Sequence, residues 1–184
     1  MYWSVQLSKL SPRERKAKEI LLIDAYLDQG GGAAWLGEPR VAELVERAML
    51  HFDGVRYDLH AWVVMPNHVH ALFTPKSEHG LSQIMSAWKS YTAKEANKIL
   101  GRNGHFWQKE YFDRVIRNPH HFDFVKEYIE NNPVKAGLCQ QAADWKFTSA
   151  GRDRPLWKPP SCWYEDVPIA AAESSVLESN CWEI

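Results

Sequence analysis

The spacing of apolar positions divides the first 150 residues into a short series of elements. Val41, Leu44, Val45, Ala48, Met49 and Phe52 recur at three- and four-residue intervals, the spacing that lines one face of a helix. Pro39 near the start and Gly54 just past the end bound it. Two apolar runs follow, Leu59 to Met65 and Val69 to Phe73, separated by Pro66-Asn67, and they read as adjacent antiparallel strands. Leu81, Ile84, Met85, Trp88, Tyr91, Thr92, Ala96 and Ile99 restore helical spacing up to Gly101. Tyr111 to Arg117 has the β-branched and aromatic content of a strand. Asn118 then caps a helix that carries Pro119 at its first position and runs to the neighbourhood of Pro133. With Tyr2 to Leu7 as a first strand, the order is β-α-β-β-α-β followed by a helix. That order predicts an α+β fold, a ferredoxin-like antiparallel sheet packed with helices.

Composition narrows the class. In 184 residues there are 9 Trp, 7 Tyr and 7 Phe, 45% of the chain is hydrophobic and the formal charge is −1. Such a chain folds around a core; it is neither a disordered polyelectrolyte nor a histone-like basic protein. No apolar run approaches the roughly 18 to 20 residues that span a bilayer, and no secretory signal precedes the first alternating segment, so a cytoplasmic location without a membrane partner is expected. Cys139, Cys162 and Cys181 are too widely spaced for a zinc pattern and odd in number, which suits reduced thiols. The near-zero total charge hides a division. Residues 76–137 carry 10 basic and 7 acidic side chains, whereas residues 138–184 carry 4 and 7. Pro155, Pro159, Pro160 and Pro168 break periodicity in the last stretch. The expected organisation is one domain over residues 1–150 and an irregular acidic tail over 151–184.

Three constellations can carry chemistry. His68-Val69-His70 places two imidazoles on one face of a strand, where both can reach one metal ion; an isolated His-x-His is more often structural. Tyr128 and Asn132 are four apart on a helix and share a face. Pro133 disfavours helical geometry at Asn132, which keeps Asn131 as a second candidate for an amide ligand. Read blandly, Tyr128 is a core aromatic and the Asn pair a helix terminus. A cation held by two imidazoles and an amide oxygen would keep positions open for a phosphodiester oxygen, and a tyrosine beside that phosphate can attack phosphorus covalently. A free phenol titrates near pH 10, and no adjacent base is evident. The third constellation runs from Gly104 to Arg117, where aromatics interleave with Lys109, Arg114 and Arg117. Trp107, Tyr111 and those cations could stack splayed bases and hold phosphates, as could Lys89 on the preceding helix; an ordinary strand with solvated charges is the alternative.

Three blocks together resemble a known family: Leu59 to Leu72 with its Met65-Pro66-Asn67-His68-Val69-His70 centre, Phe106 to Arg114, and Tyr128 to Leu138 with its Tyr128-Ile129-Glu130-Asn131-Asn132-Pro133 start. In order and spacing they are similar to the single-tyrosine HUH (IS200-like) transposases, and within these to the bacterial REP-associated tyrosine transposases. The resemblance implies the HUH nuclease fold, with the catalytic tyrosine on a helix that follows the sheet. It implies that His68, His70 and Asn132 bind Mg²⁺ or Mn²⁺ and that Tyr128 is the nucleophile. It further implies cleavage and rejoining of single-stranded DNA through a 5′-phosphotyrosine link, on palindromic repeats folded as hairpins. By the same analogy Trp107, Lys109, Tyr111, Arg114, Arg117 and Lys89 face DNA in a nucleoid-associated protein, expected as a monomer with a dimer as the alternative.

Two other functions fit parts of the pattern. A domesticated hairpin-binding protein without cleavage would explain the DNA-facing block but has no need for His68, His70, Tyr128 and Asn132 together. A ferredoxin-like RNA-binding or phosphoesterase protein would leave the conjunction of three independent blocks to chance.

Overall fold

The computed structural model describes residues 26–27, 30–76, 78–109, 111–116, 118–153 and 179–183. The expected first strand, Tyr2 to Leu7, and Arg117 lie outside them. Helix α1 spans Pro39–Leu50, strands β1 and β2 span Tyr57–Val64 and Val69–Pro75, helix α2 spans Leu81–Ile99, β3 spans Phe112–Ile116, helix α3 spans Pro119–Lys135 and β4 spans Ser179–Glu183. The fold is α+β, as the spacing predicts. No helix among the described residues is long and apolar enough to cross a membrane.

The sheet is antiparallel in the order β1-β2-β4-β3. Residues 179–183, assigned from the sequence to an irregular acidic tail, therefore form a strand inside the sheet. His70 pairs with Glu183 and Phe73 with Asn180 on one side, while Phe112 pairs with Glu183 and Ile116 with Ser179 on the other. In a ferredoxin-like sheet that slot, between the hairpin and the last strand, belongs to the first strand. Five residues are too few to display a period, and pairing on both sides supplies the hydrogen bonds that local propensity does not.

Within the β1–β2 hairpin the register runs from Tyr57 opposite Pro75 to Val64 opposite Val69 and shifts between Leu59 and Ala61. One extra residue reverses the alternation. As a result Tyr57 and Leu59 share a face with Trp62 and Val64, packed with Val69, Ala71 and Phe73 against α1 and α2. Ala61, Val63 and Leu72 point the other way and meet Phe122, Val125 and Ile129 of α3. Complete burial of each large side chain contributes roughly 1.5–3 kcal/mol.

The joints between layers are polar. Tyr57 donates its hydroxyl to the Met49 carbonyl at 2.6 Å and accepts from Trp88 Nε1 at 3.0 Å, which ties α1, β1 and α2 at one point; burial pushes its phenol up to about 12. On the outer edge of β1, residues 147–149 add a short pairing, with the Val64 amide donating to Phe147 and the Ser149 amide to Trp62. That pairing covers an edge otherwise open to another chain.

Candidate active site

The face of β2 that looks towards α3 carries the two histidines. His68 closes the turn after Pro66-Asn67 and His70 lies two residues on, inside β2, so both imidazoles project to the same side. Both are fully buried, and their Nε2 atoms stand 2.9 Å apart. Burial holds His68 down to about 4; burial, then the neighbouring His68 and Lys135, hold His70 well below its ordinary value. Both rings are therefore neutral at pH 7, the form that ligates metals.

Asn67 decides which nitrogen of His68 faces the site. Its Nδ2 donates to the carbonyls of Leu27 and Gly31 at 2.8 and 2.6 Å. Carbonyls only accept, so Oδ1 is the atom turned to His68 Nδ1, 2.8 Å away. Nδ1 must then carry the proton, and the Nε2 lone pair points at His70. An amide residue next to a His-x-His motif is the sequence signal for such an orienting partner.

Helix α3 brings the second half of the site. The Asn118 side chain accepts from the His121 amide at 2.8 Å and Pro119 fills the first turn. The helix runs through Pro133 to Lys135, so the proline does not end it. It places Asn132, rather than Asn131, at the histidines. Asn132 is fully buried with Nδ2 3.2 Å from His70 Nε2, and its Oδ1 has no hydrogen-bond partner. Exchanging the amide oxygen and nitrogen, which are assigned rather than observed, turns that orphaned oxygen towards His70. His70 Nε2 then stands 2.9 Å from His68 Nε2 and 3.2 Å from the amide oxygen. Those separations match neighbouring ligands on an octahedral cation with bonds near 2.1 Å, so the residues fit a small divalent ion. Among the described residues no group of three His, Cys, Asp or Glu could hold a metal, and the polar side chain that reaches the imidazole pair is the Asn132 amide.

Tyr128 stands one helical turn before Asn132. Its ring meets His70 edge-on at a centroid distance of 5.8 Å, and Lys135 Nζ lies 4.1 Å from the centre of the ring. Between Tyr128 and Asn132 on the helix, Glu130 accepts from Ser149 Oγ at 2.9 Å, which ties α3 to the segment edging β1. The sequence reading did not single out Asn67, Lys135 or Ser149. Lys135 is the i+7 partner of Tyr128, a helical spacing that could have revealed it.

The six residues assigned to DNA are placed less uniformly. Trp107 is half-buried, donates Nε1 to Thr92 Oγ1 at 2.8 Å and packs edge-on against the buried Phe106. Lys89 donates to the carbonyls of Gln108 and Lys109 at 2.6 and 3.2 Å and lies over the Tyr111 ring at 5.7 Å. These three hold the 104–111 loop on α2. Lys109 is exposed, Arg114 lies on β3 and Arg117 is outside the described residues. A cleft of about 690 Å³ between α1 and α2, lined by Arg40, Arg47, Arg56 and Tyr91 among others, opens on the opposite face of the sheet.

The family model described as transposase, IS200-like, matches residues 38–132, just over half of the chain and the whole span from α1 to Asn132. The chain belongs to that family. It is 30% identical over 122 residues to the REP-associated tyrosine transposase of Escherichia coli, an alignment covering 66% of this chain and 71% of that one. With a putative REP-associated tyrosine transposase of Haemophilus influenzae it shares 24% identity over 110 residues, covering 54% of this chain and 62% of that one. A solved structure of a REP-associated tyrosine transposase bound to a REP hairpin superposes with a TM-score of 0.54 at 27% identity, covering 67% of this chain and 72% of the other. The family's HUH fold is therefore the fold of this chain, and the family assignment read from its three motif blocks stands.

Proposed function

We propose that this transposase-family chain is a metal-dependent endonuclease and strand transferase that acts on single-stranded DNA next to a REP-like hairpin. The observation that carries the reading is the convergence of His68 Nε2, His70 Nε2 and the Asn132 amide beside the Tyr128 ring. The hairpin as substrate is taken from what the similar solved protein binds. A Mg²⁺ or Mn²⁺ ion, when bound by His68, His70 and Asn132, would polarise a phosphodiester oxygen and offset its developing charge.

The chain's own residues divide the remaining work. Burial keeps both imidazoles neutral, and Asn67 fixes the His68 tautomer. Asn118, Pro119 and the Glu130–Ser149 bond set the position of α3 against the sheet, so Tyr128 is presented next to the ligands before substrate arrives. The Tyr128 hydroxyl oxygen attacks phosphorus, and the 3′-oxygen leaves as a free hydroxyl. Tyr128 retains the 5′-phosphate as a covalent ester, and a 3′-hydroxyl reverses the step to rejoin strands.

The test is direct. Incubated with Mn²⁺ and a hairpin oligonucleotide bearing a single-stranded flank, the protein should form an adduct that migrates slowly on a denaturing gel. Tyr128→Phe should remove the adduct while hairpin affinity changes by less than about threefold, because the ring and its edge-on contact with His70 are kept. An adduct that survives in Tyr128→Phe overturns the assignment. Hairpin binding without any adduct would instead favour a domesticated binding protein.

A further inference from the structure

We propose that Lys135 is a further catalytic residue of this site, its ammonium group binding a non-bridging oxygen of the phosphate that Tyr128 attacks; the proposal rests on Tyr128 being the nucleophile. Tyr128, Asn132 and Lys135 occupy positions i, i+4 and i+7 of α3, which fall on one helical face. On that face Asn132 reaches His70, Tyr128 packs its ring on His70, and Lys135 Nζ sits 4.1 Å from the centre of the Tyr128 ring.

A second positive charge, beside the ion that the ligands would hold, suits the charge that builds up during attack. The donors that meet there, two imidazoles and the Asn132 amide, bring no negative charge of their own. The substrate phosphodiester carries one negative charge, and attack by the phenolic oxygen develops a second. In that step the Tyr128 oxygen–phosphorus bond forms and the bond from phosphorus to the 3′-oxygen breaks. The phenol proton leaves to water and the departing oxygen takes a proton from water. Lys135 takes part in neither proton transfer and contributes charge alone. Among the described residues no carboxylate forms an ion pair with it, so its ammonium is not spent on a protein anion. A lysine in the last turn of a helix is also favourable for the helix dipole. That role would place it anywhere on the helix circumference, not over the nucleophile's ring.

The experiment measures single-turnover adduct formation at saturating flanked hairpin with Mn²⁺ for the wild type, Lys135→Met and Lys135→Arg, alongside hairpin Kd and Tm. We expect Lys135→Met to lose at least about tenfold in rate, a smaller loss than the roughly 10²–10³ that removal of one preorganised oxyanion donor costs. Hairpin Kd should stay within about threefold and Tm within a few degrees, and Lys135→Arg should recover most of the rate. A Lys135→Met rate within about threefold of wild type overturns the proposal. So does an Arg variant no faster than Met, or a rate loss matched by an equal loss of hairpin affinity. A wild-type protein that forms no adduct sinks the reading of Tyr128 itself, and this proposal with it. An active wild type with an unaffected Lys135→Met sinks this proposal alone.

Discussion

At the level of single residues, the site is a set of polar groups withdrawn from water and held by one another. His68 shows the cost. The unfolded chain takes up a proton at this imidazole near pH 6.5, whereas the folded protein does so only near 4. Protons thus favour the unfolded state between those values. The stabilising contribution is complete above pH 6.5 and disappears as pH falls towards 4, up to roughly 3 kcal/mol for this one group. Tm should fall across that window, and His68→Gln should flatten part of the fall; a wild-type Tm constant from pH 6.5 to 4.5 would contradict the burial argument. Asn132 makes a complementary prediction. A cation that binds only the folded protein raises Tm by mass action, so Mn²⁺ should stabilise the wild type. In Asn132→Ala that increment should shrink while hairpin affinity holds, and an undiminished Mn²⁺ shift would remove Asn132 from the ligand set.

Among elements, β4 has the largest consequence. It pairs with β2 along residues 70–73 and with β3 along 112–116, so β3 reaches the hairpin only through it. The strand opposite His70 is thereby supplied from the far end of the sequence. Proline cannot donate to either ladder and is excluded from central strands. Cys181, opposite Leu72 on one side and Arg114 on the other, is the informative position. Cys181→Pro should cost at least about 1–3 kcal/mol, the penalty for leaving a ladder partner without its hydrogen bond, read as a lower urea midpoint. A midpoint unchanged within error would mean that β4 does not hold the sheet together. Helix α3 illustrates the opposite case. Its start is written locally in Asn118-Pro119, and its passage through Pro133 is tolerated because Asn132 and Pro133 are buried against the sheet, where tertiary contact outweighs the missing hydrogen bond.

For the molecule as a whole, charge and placement determine how DNA can be held. A surplus of three positive charges over residues 76–137, part of it turned inward at Lys89, leaves little for indiscriminate phosphate binding. A slope of log K against log salt of about −3 follows from roughly three phosphates neutralised; a slope near −8 would show a much larger basic surface than the chain displays. Apolar spacing located α1 and α2, apolar runs located β1 and β2, and the Asn118-Pro119 start located α3, because each of these signals is local to its own segment. The same is true of the candidate ligands: the two-residue spacing in His68-Val69-His70 and the four-residue spacing from Tyr128 to Asn132 are properties of a strand and a helix wherever those are placed. Which strand fills the middle of the sheet was not written locally, since Ser179 to Glu183 is too short to declare itself and gains its hydrogen bonds only from partners more than 60 residues away. Nor could composition tell that Trp107 and Lys89 spend their donors on the 104–111 loop and α2, or that Asn67 fixes a tautomer. The meeting of His70 with Asn132, 62 positions apart, belongs to the same class: spacing within an element is a local property of the chain, whereas the approach of two elements is set by the packing of both against one sheet.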